Sequence, residues 1–117
     1  MTGSNYSFTQ NILNEIQVPP KGILSHTLYN DDQVKLVLFG FAAGEELTAH
    51  TAPMPAMIQI LSGEVTLTLG AEQCEASPGS LIHMQPHLTH GILAKTSAMV
   101  LLTLLKAARQ DTKPKAA

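Results

Sequence analysis

The chain has 117 residues, enough for one hydrophobic core but not for two. Apolar residues make up 44% of it, charged residues only 14%, and the formal net charge is −2. This describes a soluble globular chain with a bland surface, and sparse charge of this kind is expected where a second copy covers part of that surface.

Several classes of protein are excluded by the pattern. No stretch approaches the roughly 18 apolar residues a membrane span requires. The longest apolar run, residues 98–105, is broken by Thr103 and suits a buried strand. No basic segment followed by an apolar one opens the chain, so no secretory signal is expected. Cys74 is alone and forms no internal disulfide, which fits a reducing, cytoplasmic address. Lys106, Arg109, Lys113 and Lys115 crowd the tail, and only Lys21, Lys35 and Lys95 precede them. The body is therefore acidic and repels phosphate backbones, so no nucleic acid is expected as a partner, and with no apolar span no membrane is expected either.

Residues 1–20 are mostly polar and end in Val18-Pro19-Pro20, whose tandem prolines mark a turn or a sheet edge. The spacing predicts strands over residues 23–29 and 34–41, separated by the turn-prone Asn30-Asp31-Asp32. Gly44 ends the second. Short strands follow over 47–51 and 57–61, with Pro53 and Pro55 between them. Ser62-Gly63 turns the chain into Val65-Thr66-Leu67-Thr68-Leu69, where valine and leucines share one face and threonines the other. Gly70 opens a turn before a brief strand over 73–76, and Ser77-Pro78-Gly79 punctuates again. Strands over 81–84, 90–94 and 98–105 complete the series, with a loop at 85–89. Residues 104–110 can form a helical turn or two, and 111–117, containing Pro114, are expected to be disordered. Many short strands with Gly or Pro between them argue for an all-β sandwich or barrel. The expected organisation is an N-terminal arm over 1–20, a β domain over 21–106 and a basic flexible tail over 107–117.

Two stretches carry the chemistry. The first is Gly44-Glu45-Glu46-Leu47-Thr48-Ala49-His50-Thr51-Ala52-Pro53-Met54-Pro55-Ala56, closed by Gly63. The second runs from Gly79 through Gln85-Pro86-His87-Leu88-Thr89-His90 to Ala94. In order, and with strands around them, they resemble the two motifs of the cupin superfamily, and the chain is similar to its small, single-domain, RmlC-like members. Gly44, His50 and Gly63 match the first motif, while its second histidine and its glutamate are replaced by Ala52 and Ala56. Gly79 and His90 match the second. There Gln85 replaces a proline, His87 a turn glycine and Ala94 an asparagine.

The resemblance implies a cupin-type double-stranded β-helix, a jelly-roll barrel. It also implies a homodimer, in which the N-terminal arm is exchanged between subunits in many members.

It further implies what has been removed. Side chains two apart on a strand point the same way, so a His-x-His pair clasps one ion inside the barrel. Alanine offers no lone pair. Only His50 and His90 remain at matching positions, and His87, three residues before His90 in a loop, is the candidate for a third ligand. Such a three-histidine set would accept zinc, iron, nickel or manganese. Glu46, four residues before His50, lies about 13 Å away on a regular strand, too far to share the ion. Met54, Met57 and Met84 raise a soft copper(I) site, but methionine among apolar neighbours more often fills core gaps.

Two readings stand side by side. In one, the barrel is a small-molecule-binding module whose pocket is formed by His50, Ala52, Ala56, Ile58, Ile60 and His90. In the other, it is a metal-dependent enzyme of the dioxygenase, isomerase or decarboxylase type that uses His50 and His90. Tyr6 and Tyr29, the only tyrosines, sit in neither motif. Met57 and Leu61 lie opposite Ala56, Ile58 and Ile60 on their strand, and two apolar faces need two covers.

Overall fold

The computed structural model describes residues 5–111, and the end of the tail, 112–117, lies outside the described residues. Each expected strand forms, most within a residue of its expected bounds. In chain order they are β1 (Ile23–Asn30), β2 (Lys35–Phe41), β3 (Glu46–His50), β4 (Ala56–Ser62), β5 (Val65–Leu69), β6 (Glu72–Ala76), β7 (Leu81–Met84), β8 (His90–Ala94) and β9 (Ala98–Leu104). Two 3-10 turns, Ile12–Asn14 and Lys106–Ala108, are the only helical elements among the described residues. Among the described residues no helix is long and apolar enough to cross a membrane.

The strands form two antiparallel sheets, ordered β1-β2-β9-β4-β7 and β3-β8-β5-β6. Their inner faces share one core. Phe41, Ile58, Ile60, Met84 and Val100 come from the larger sheet, and Val65, Leu67 and Ile92 from the smaller. The alternation read in β5 holds, with Val65 and Leu67 fully buried and Thr66 and Thr68 half-buried. In β4, Ala56, Ile58 and Ile60 are buried while Met57 and Leu61 stand half-buried on the other face. The chain is thus the all-β jelly-roll barrel that its motifs imply.

The methionines do not gather. Met84 pairs with Ala56 and is buried in the core, whereas Met57 pairs with His83 on the outward face. A thioether cluster of Met54, Met57 and Met84 is therefore split by the sheet, and core packing accounts for Met84.

Gly63 makes the β4–β5 turn. Its φ is +81°, and a Cβ there would press into the Ser97 carbonyl and lie 2.7 Å from Ala98 Cα. Only glycine meets both demands.

The segment before β1 lies across the outward face of β2, where a Cβ on Gly40 would be 3.0 Å from Ile16 Cδ1 and 3.4 Å from Val18 Cα. Leu38, two residues earlier on the same face, is fully buried. At the other end, Lys106 Nζ donates to Asn30 Oδ1 and Asp31 O, and the Ala107 N–H donates to Gln33 O. These bonds tie the start of the basic segment to the β1–β2 turn.

Candidate functional site

His50 closes β3 just before Pro53 and Pro55, and His90 opens β8 just after the 85–89 loop. The two are direct cross-strand partners. Between the pairs Leu47↔Ile92 and His50↔His90, β3 advances three residues and β8 only two, so β3 carries a bulge. The bulge changes which residues share a face. On a regular strand Glu46 and Thr48 would accompany His50; here Leu47 does, and it lines the same cavity. Gly91 stands opposite the bulge, where a Cβ would lie 3.0 Å from both Ala49 N and Leu47 O. A missing side chain at 91 makes room for the extra residue in β3.

The imidazoles are 4.5 Å apart between centroids and tilted by 54°. Each ring bonds the carbonyl two residues before it. His50 Nδ1 lies 2.9 Å from Thr48 O and His90 Nδ1 2.9 Å from Leu88 O. A carbonyl only accepts, so each Nδ1 carries the hydrogen and each neutral ring keeps a lone pair on Nε2. Among the described residues neither Nε2 has a hydrogen-bond partner.

Behind the rings lies a cavity of about 180 Å³. Its remaining wall is entirely apolar, formed by Phe39, Leu47, Ile58, Ile92, Val100 and Leu102. His90 is buried and His50 exposed, so the first belongs to the wall and the second to the mouth. Burial holds the His90 imidazole below its ordinary pKa; the bond to Leu88 O opposes this, and the neighbouring His50 adds to it.

Of the expected pocket residues, His50, His90 and Ile58 line the cavity. Ala56 and Ile60 face inward but are consumed by core packing, and Ala52 lies past the end of β3, half-buried. The replacing alanines therefore do not form the wall. Phe39, Leu47, Ile92, Val100 and Leu102 do, and sequence reasoning missed all five. Ile92 follows from the two-residue period counted from His90. Phe39 does not, because β2 is apolar on both faces, and Leu47 is placed by the bulge.

His87 takes a left-handed φ of +68°, with its N–H donating to Ala52 O at 2.8 Å. This bond joins the 85–89 loop to the end of β3. Among the described residues its Nε2 is buried without a partner, yet no three of His, Cys, Asp or Glu there gather closely enough to hold an ion. The expected set of His50, His87 and His90 is thus not among groups gathered closely enough to hold an ion. Two imidazole nitrogens are half of a tetrahedral set, so a resident ion held by the protein alone does not fit these residues. His83 and its strand neighbour Leu81 point outward, and His26 lies on the surface 4.0 Å from Glu15.

The family model described as Cupin domain matches residues 37–105. No functionally curated protein matches the chain. Among solved structures, a conserved protein of unknown function from Streptococcus pyogenes is 24% identical with a TM-score of 0.78, covering 98% of this chain and 95% of its own. An RmlC-like cupin from Desulfovibrio desulfuricans is 24% identical with a TM-score of 0.77, covering 86% and 98%. KdgF from a Halomonas species is 25% identical with a TM-score of 0.69, covering 94% and 97%. Likeness at this level carries the fold, and the family rests on the matched domain. That match spans more than half of the residues, both histidine positions and the strands that bring them together, and by it this protein belongs to the cupin family.

Proposed function

We propose that this cupin binds a small organic molecule between its sheets, oriented by His50 and His90. The observation that supports this most is the imidazole pair, with both Nε2 atoms unpartnered at the edge of an otherwise apolar cavity. Binding sites for small molecules are typically of this make-up, an apolar enclosure with a few placed polar groups. The alternative, a metal-dependent enzyme acting through the same two residues, draws on the same lone pairs. It would leave at least two coordination positions to water or substrate.

A thermal-shift screen of divalent ions against small organic molecules, run on tag-free protein, separates the readings. A guest at 100 times its dissociation constant adds about 2.7 kcal/mol of stability. Stabilisation by organic molecules, weakened in His50→Leu/His90→Leu, is expected. Stabilisation by ions alone, with metal retained through purification, would overturn the organic reading.

We further propose that the protein works as a homodimer in the cytoplasm. The exposed free Cys74 fits a reducing compartment. Tyr6 and Phe8 are 80% and 76% exposed beside an open apolar groove on the outward face, lined in part by Leu28, Leu36 and Leu101. On the same face Leu81 is 65% exposed. Apolar groups on both the arm and the sheet suit burial against a second copy.

A further inference from the structure

The backbone decides what the cavity asks of its guest. Both Nδ1 hydrogens are already given to Thr48 O and Leu88 O, which leaves the distal nitrogen of each ring free. The neutral pair therefore offers two acceptors and no donor. None of the other lining residues supplies a polar side chain or a charge. An acceptor brought against these lone pairs would be repelled, and a carboxylate would lose its hydration with no donor to replace it.

Size narrows the class further. An engineered apolar cavity of about 150 Å³ takes up benzene. The cavity here, about 180 Å³, has room for one ring with a small substituent and not for two rings.

From these two constraints we infer that the guest is a single-ring molecule carrying a hydroxyl or similar hydrogen-bond donor, a phenol being the simplest case, and that ethers and carboxylates of equal size are rejected. The ring fills the space between Phe39, Ile58 and Val100, and its O–H donates to Nε2 of His50 or His90. Selection comes from the locked tautomers, because a ring free to turn could present a donor instead. This inference rests on the organic-guest reading, and its test keeps the two apart.

The test is calorimetric titration of the full chain, purified without a tag and dialysed against chelator, with phenol, anisole, toluene and benzoate. It is run at about pH 8, above the ordinary titration range of imidazole. Phenol is expected to bind about tenfold more tightly than anisole, the worth of one hydrogen bond in a dry site, and benzoate not at all. In His50→Leu/His90→Leu the phenol-to-anisole ratio should fall to about one while toluene still binds, which shows that the cavity survives. Equal affinity for phenol and anisole, benzoate binding ahead of phenol, or an unchanged ratio in the variant would overturn donor selection alone. Failure of all four probes would overturn the organic guest as well.

Discussion

His50 and His90 face each other across β3 and β8, and each is held by the carbonyl two residues upstream in its own chain segment. The same local bond, made twice, orients both rings, and among the described residues no other side chain hydrogen-bonds to either. A pair set in this way can be probed from the backbone outward.

The first prediction concerns Gly91. A Cβ at this position would crowd Ala49 N and Leu47 O, so the bulge must shift by a few tenths of an ångström. Gly91→Ala should cost roughly 1–3 kcal/mol, the usual penalty of overpacking. Its larger effect falls on the site, since β3 carries His50 at its end. Chemical denaturation should show the loss in stability, and crystallography a displaced His50 ring. An unaltered ring position would mean that the bulge does not set the pair.

His90 makes stability depend on pH. Its folded pKa lies below the ordinary 6.5, chiefly because the ring is buried. Above 6.5 both folded and unfolded forms are neutral, and stability is fully retained. As pH falls from there toward the folded value, the unfolded chain binds the proton first and stability declines. Asp31 and Glu75, with pKa values lowered mainly by Tyr29 and Lys95 respectively, lose their contributions only at lower pH, below 3.8 and 4.5. Melting temperatures between about pH 7 and pH 5 should therefore fall less steeply in His90→Leu than in the parent. Parallel curves would remove His90 as the cause.

Much of this architecture is written in the sequence. Gly and Pro punctuation marks the strand ends, and the alternation in residues 65–69 gives the buried face of β5 directly. The separations of Gly44, His50 and Gly63, and of Gly79 and His90, point to the two rings that meet. What stays hidden is how a strand departs from regularity. The β3 bulge exchanges Glu46 for Leu47 beside His50, and no pattern of types announces it, because the residue that permits it, Gly91, belongs to another strand. Ala52 and Ala56 mark where side-chain ligands have been replaced, but they do not say which residues form the wall. That depends on how the two sheets close, which brings Phe39 and Val100 over from β2 and β9.

Gly63 tests the fold itself. With a φ of +81° and the Ser97–Ala98 backbone against it, the position admits no side chain. Gly63→Ala should cost at least about 3 kcal/mol, combining left-handed strain with a backbone clash. Since the turn is remote from the rings, phenol affinity measured on the fraction that remains folded should be unchanged. A mild loss in denaturation would contradict the close approach.

The arm carries the prediction about assembly. Tyr6 and Phe8 are held out from the sheet surface although both are large and apolar, and among the described residues the groove beside them is lined on the arm side by Ser7, Thr9 and Ile12. If a second copy covers this face, replacing both aromatics with serine should weaken the pair by removing their buried area, which contributes roughly 1.5–3 kcal/mol for each large apolar side chain. Light scattering across a dilution series should then show the parent as a dimer and Tyr6→Ser/Phe8→Ser dissociating at higher concentration. The cavity lies on the opposite face of the larger sheet, so its probe affinities should not change. A parent that is monomeric at every concentration would leave the exposed aromatics without a partner of this kind.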